Sequence, residues 1–261
     1  MVFAKLAALI ILSTLPLSAL SHPDLVLQIQ ALDAQIEAKP ADADLLIKRG
    51  DLYRRHQEYA AAAMDLAAAR KASPNNSILD FYDGLLLLER GDAQTAETHF
   101  KKYTDTHPEH SKAWMLRGKT SIELKQAENA AKYFARAIQT TQTPSPDLYR
   151  LQILSILAMG ESEWNAAVNV TDEGLQHFGF EVSLLGLGVD IALATNQALK
   201  AEQYLRTLPD ALRRLPQWDT RLSAVNCLTS PDPAASDQCL LKAKEILMAK
   251  VTTFMSVNVG Y

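Results

Sequence analysis

Residues 43–76 read ADLLIKRGDLYRRHQEYAAAAMDLAAARKASPNN, residues 77–110 read SILDFYDGLLLLERGDAQTAETHFKKYTDTHPEH, and residues 111–144 read SKAWMLRGKTSIELKQAENAAKYFARAIQTTQTP. Set one beneath another, these blocks of 34 residues bring Gly50, Gly84 and Gly118 into one column. Ala62, Ala96 and Ala130 form a second column, Leu66, Phe100 and Phe134 a third, and Ala69, Tyr103 and Ala137 a fourth, while Pro74 and Pro108 close the first two blocks. Self-similarity at a fixed period of this length marks an array of helix-turn-helix units, not one closed core.

Each column has a physical reason. Glycine inside a helix costs about 1 kcal/mol against alanine, so its recurrence at one register position means that another helix passes close by. The bulky residues Leu66, Phe100 and Phe134 then fill the space between helices, and Pro74 and Pro108 stop the second helix of a pair. Gln57, Gly91 and Lys125 fall at the turn within each pair, with Gly91-Asp92 the strongest turn signal of the three.

This succession of glycine, alanine twelve residues on, a bulky apolar residue, a further small or aromatic residue and a closing proline resembles the tetratricopeptide repeat family. The resemblance covers residues 43–144 as three well-matched repeats and implies an all-α, right-handed superhelix (α-solenoid) of about five helix pairs. Residues 145–209 hold two degenerate pairs: after a three-residue insertion within Thr143-Pro144-Ser145-Pro146, Trp164 and Ala167 take the columns of Tyr59 and Ala62, and Ser155 stands where glycine stood. Ala201 and Leu205 mark the fifth pair before Pro209. Leu25, Ile29, Leu32 and Ile36 recur at helical spacing, so residues 22–42 are expected to form an N-terminal capping helix. Residues 210–261 are expected to form a C-terminal helical cap, with Ser236 capping the last helix.

The resemblance further implies that the first helix of each pair lines a concave surface. Spacings of three and four residues place Ile47 and Arg54 there in the first pair, and Phe81, Leu85 and Leu88 in the second. Met115, Lys119 and Ile122 follow in the third pair, and Tyr149 and Ile156 in the fourth. Because the glycine and alanine columns already account for the core, Leu85 and Leu88 are expected to need another molecule to cover them. An apolar strip of this kind suits an amphipathic helix or an extended peptide. Two alternatives stand beside that reading: the strip is inter-repeat core, or the chain's own N- or C-terminal helix lies in the groove. A clamp for a terminal carboxylate is not expected, since Ile47 and Asp51 occupy the first-pair positions and the acid would repel it.

At the N-terminus, Lys5 precedes an uncharged apolar run from Leu6 to Leu12, then Pro16 and the small-residue end Ala19-Leu20-Ser21. This is the pattern of a cleavable signal peptide over residues 1–21, too short and too broken for a membrane span. Export places the product in the periplasm or outside the cell, with no membrane span after cleavage. There Cys227 and Cys239, the only two cysteines, can pair as a disulfide; two buried thiols are the other reading. Pro231 and Pro233 between them break the helix.

With 26 basic against 30 acidic residues the net charge is −4, and loss of Lys5 makes it −5, which excludes a footprint for nucleic acid. No G-x-S-x-G, H-E-x-x-H, P-loop or C-x-x-C pattern occurs, so no catalytic residue, cofactor or metal ligand is assigned. His107 and His110 belong to a linker and lack a third ligand.

The sequence therefore points to a non-catalytic scaffold or adaptor of the cell envelope that holds a protein or peptide. Two other readings remain open. One is copper handling or an enzymatic role through His22 at a new N-terminus. The other is a structural subunit that assembles with itself through the apolar strip.

Overall fold

The computed structural model describes residues 23–256. The expected signal peptide, its cleavage point and His22 lie outside the described residues. Among those residues every regular element is helical: fourteen α-helices and a 3₁₀ turn at Glu161–Glu163. The chain divides into two compact units, one ending at Tyr82 and the other beginning at Asp83, so that the boundary falls within one helix.

The first unit holds α1 (Pro23–Ala38), α2 (Ala43–Arg55), α3 (Tyr59–Ala72) and the start of α4 (Ile78–Glu89). Leu25, Ile29, Leu32 and Ile36, the stripe legible in the sequence, are buried, and α1 packs on α2. Asp42 caps α2 by accepting from the N–H groups of Asp44 and Leu45 at 3.1 and 3.2 Å, and Arg54 and Arg55 stand in its last turn, where the helix dipole favours cations. Arg49 ties all three complete helices together: its guanidinium donates to both oxygens of Asp65 at 2.8 and 2.6 Å and to Asp33 at 2.8 Å. The two carboxylates hold the Arg49 pKa far above its usual value, with the hydrogen bond to Asp65 the largest cause.

The second unit continues with α5 (Ala93–Thr106), α6 (Ser111–Glu123), α7 (Ala127–Thr140), α8 (Pro146–Leu157), α9 (Trp164–Phe178), α10 (Val182–Ala194) and α11 (Ala198–Arg206). From α6 to α11 each helix packs on the one before it. The repeat columns carry this packing. A Cβ added at Gly84 would lie 2.6 Å from the Phe100 ring, and one at Gly118 would lie 2.6 Å from the Phe134 ring. Phe100 and Phe134 are themselves fully buried, so neither ring has room to retreat. The turn positions also agree: Gln57, Gly91 and Lys125 all have left-handed backbone, at φ 65°, 83° and 60°. Only glycine adopts that conformation without steric cost, and Gln57 and Lys125 pay it to reverse the chain.

The array ends in three helices that carry no repeat columns, α12 (Asp210–Arg213), α13 (Pro216–Leu228) and α14 (Pro233–Ser256). Cys227 and Cys239 form a disulfide joining α13 to α14, with Cα atoms 6.2 Å apart. Ser236 does not cap α14. Its Oγ donates to the Leu228 carbonyl at 2.9 Å, and Asp232 does the capping, accepting from the Ala234 N–H at 3.1 Å. The helix starts earlier than expected because Pro233 is well placed in a first helical turn, where its missing N–H is no loss. Nor does α14 only close the end of the array: it turns back to pack on α10 and α8 as well as on α13.

Candidate partner-binding site

The inner helices α8 and α10 meet the non-repeat helices α13 and α14 around a slot of about 990 Å³. Local sequence explains how each wall is fixed. Ser145 starts α8, its Oγ accepting from the Leu148 N–H at 3.4 Å, and Pro146 follows in the first turn. Glu181 starts α10: one carboxylate oxygen accepts from the Leu184 N–H and from the Ser183 hydroxyl, each at 2.7 Å. Those hydrogen bonds outweigh the opposing cost of partial burial and lower the Glu181 pKa.

The third wall, α14, buries Ala243, Leu247 and Val251, spaced four residues apart on one face. Full burial of a leucine such as Leu247 stabilises by roughly 1.5–3 kcal/mol. Polar contacts to α10 and to two turns fix its position. Lys244 pairs with Glu161 at 2.5 Å, Lys250 pairs with Asp190 of α10, and Lys125 donates to the Met255 carbonyl. Arg221 of α13 meets the same Asp190 through Nε and Nη2, each at 2.8 Å, and lies 5.0 Å over the Trp218 ring. Asp190 is 7% exposed, so its charge is compensated by the two cations brought to it from α13 and α14.

The ten residues expected on the inner strip fare unequally. Ile47 and Phe81 of the first unit are buried, as are Leu85, Leu88, Ile122, Tyr149 and Ile156 of the second. The expectation that Leu85 and Leu88 wait for another molecule is therefore corrected: they are 5% and 1% exposed within the chain itself. Other parts of the same chain cover both side chains. Arg54, Met115 and Lys119 remain partly accessible, and Arg54 pairs with Asp51 at 2.7 Å. Burial depresses the Lys119 pKa by penalising its charged form. Burial raises the Tyr149 pKa, reinforced by the negative charge of Glu173, to which its hydroxyl donates at 3.4 Å.

Two features went unread in the sequence. The residue before each glycine in the repeat register lies near the position sixteen residues later: Arg49 meets Asp65, a carboxylate oxygen of Asp83 lies within 4.8 Å of a ring nitrogen of His99, and Arg117 meets Tyr133 at 2.7 Å. Arg117 also engages Glu97 at 2.5 Å and Thr104 at 3.0 Å while stacking 4.1 Å over the Tyr133 ring. The column was visible, but its chemistry changes from block to block and so escaped a search for identity. The slot residues of α13 and α14 had no column at all. The spacing of Ala243, Leu247 and Val251 was their one legible signal.

Comparison with known proteins agrees with this architecture. Residues 83–146 match the tetratricopeptide repeat model. No curated protein matches the sequence. Among solved structures, PilF of Pseudomonas aeruginosa superposes with a TM-score of 0.57 at 17% identity, over 76% of this chain and 89% of its own. PilW, a widely conserved type IV pilus biogenesis factor, gives 0.56 at 18% identity, over 76% and 91%. A tetratricopeptide repeat protein of Parabacteroides merdae gives 0.53 at 16% identity, over 89% and 93%. At these identities the likeness is one of fold.

Proposed function

We propose that this chain, which carries tetratricopeptide repeats, is a non-catalytic protein-interaction adaptor of the cell envelope that holds a peptide or helix on the inner side of its repeats. The observation that carries the reading is the slot between inner helices and the two non-repeat helices, a concave and largely apolar surface of the size that ligands occupy. The partly accessible inner residues Met115 and Lys119 extend the candidate surface along α6. Three features support an envelope location: the charged, apolar and small-residue order of residues 1–21, the disulfide between α13 and α14, and the fold shared with a type IV pilus biogenesis factor.

Cell fractionation and affinity capture test the two parts. The full chain, expressed in a bacterial host, is expected in the periplasmic fraction without residues 1–21, whereas a chain lacking residues 2–21 stays in the cytoplasm. Cross-linked capture from the envelope is expected to yield a specific protein that a Met115→Glu, Lys119→Glu double variant loses while remaining folded. Capture of the same proteins by both forms would remove the inner surface from the account.

A further inference from the structure

We propose that the slot walled by α8, α10, α13 and α14 binds a short peptide segment that carries large apolar side chains beside a carboxylate. This rests on the adaptor reading above and names the chemistry of the partner. The site differs from a plain repeat groove, because half of its wall comes from helices outside the repeats. Leu151 and Leu154 of α8 and Leu187 of α10 face Trp218 of α13 and Ile246 and Phe254 of α14. Side chains on an apolar segment gain by entering such a surface at about 25 cal/mol per Å² removed from water.

Polarity selects the kind of segment. Ser183, Gln217 and Thr253 stand among the apolar lining residues. The Ser183 and Thr253 hydroxyls already donate to Glu181 and to the Ala249 carbonyl, so the Gln217 amide is the polar group of this lining that a peptide backbone can satisfy and an acyl chain would leave unpaired at a cost. Charge selects the flanking residue. The ionisable residues that line the slot are all cations, Arg150, Arg221 and Lys250. The acids nearby are largely committed: Asp190 is shared between Arg221 and Lys250, Asp147 pairs with Arg150 at 3.1 Å on the exposed first turn of α8, and Glu181 accepts two hydrogen bonds at the start of α10. One acid against two cations at Asp190 leaves a positive excess on that wall. Glu181 at the start of α10 and Asp219 in the first turn of α13 offset the dipoles of these helices, so the positive excess rests on Arg221 and Lys250 against Asp190.

The test selects from a displayed library of random 12-residue peptides against the full chain, then titrates the selected synthetic peptides with wild type and two exposed-wall variants, Ile246→Asp and Arg150→Glu. Circular dichroism checks that each variant is folded. The expected consensus pairs large apolar residues with Asp or Glu, binding weakens at least about 10-fold in Ile246→Asp, and Arg150→Glu weakens it about 3- to 10-fold with a reduced salt dependence. An absence of enriched peptides, a consensus without an acid, or affinities that ignore both variants would overturn the proposal. So would tighter binding of oleate, or dimerisation in sedimentation, if Ile246→Asp abolished it. Peptides that bind but respond to Met115→Glu and not to the slot variants would overturn the slot while leaving the adaptor reading intact.

Discussion

The repeats from α4 to α7 and the pairs from α8 to α11 solve the same packing problem with different means. In the regular part, a glycine admits a phenylalanine from the next helix, Gly84 with Phe100 and Gly118 with Phe134. In the degenerate part, Ser155 replaces the glycine, and its hydroxyl is satisfied by the Leu151 carbonyl of its own helix at 2.7 Å. Trp164 fills the space nearby, with its indole N–H donating to the Leu157 carbonyl at 3.2 Å. Gly188 faces Thr171 and Tyr204, outside the glycine register. The compensation arrives from elsewhere: α13 and α14 lie against α10, and α14 reaches α8. Where the repeat pattern weakens, long-range contacts from a non-repeat helix take over. A regular repeat is stabilised by its neighbours, while the last pairs depend on chain that lies 60 residues away in the Lys250 contact with Asp190 and 83 in the Lys244 contact with Glu161.

This contrast can be broken at several points. The largest effect is expected from ending the chain after Asp232. Removing α14 takes away the buried side chains of Ala243, Leu247 and Val251, uncovers the surface they pack on and abolishes the disulfide, for a loss of at least about 5 kcal/mol measured by denaturant unfolding. Phe134→Ala, at the heart of the regular part, should cost about 3–5 kcal/mol, and Gly118→Val about 3 kcal/mol because the added carbons meet the immobile Phe134 ring. Both should leave the slot intact where the fold survives. Reduction, or a Cys227→Ser, Cys239→Ser double variant, should cost about 3 kcal/mol and lower protection in α13 and α14 first, as measured by calorimetry and hydrogen exchange.

The smallest expected effect concerns pH. Burial, followed by repulsion from His107 and Lys112, lowers the His110 pKa, with Glu109 opposing. The unfolded chain therefore binds more protons at this site than the folded one as pH falls below the normal histidine range near 6.5. Stability is expected to be complete above that range and to decline as pH falls toward the lowered folded pKa. His110→Gln should flatten the decline in urea midpoints between about pH 7 and 5.

The regular part was almost wholly legible because each of its packing decisions is local and repeated. Gly84, Gly118, Phe100 and Phe134 announce a close crossing through their register, and Gln57 and Lys125 were placed in turns by alignment with Gly91 alone. The candidate site was less legible. Inner-face spacing identified Leu85 and Leu88 correctly as apolar positions, but spacing cannot tell a side chain facing an open groove from one pressed on the next helix. The course of α14 was beyond reach for a similar reason. The stripe Ala243, Leu247 and Val251 shows that one face of the helix is buried, and nothing in it says against which partner. Ser236 misled because serine is a common cap, yet Asp232 and Pro233 together start the helix one turn earlier.

Helix α14 covers α8 and α10 of the degenerate pairs and forms one wall of the slot. Hydrogen–deuterium exchange on the full chain and on a chain ending after Asp232 tests it most directly. Protection is expected to fall in α8 and α10 of the shortened chain while α5, α6 and α7 keep theirs. Unchanged protection in α8 and α10, or an equal loss across all these helices, would contradict that placement of α14.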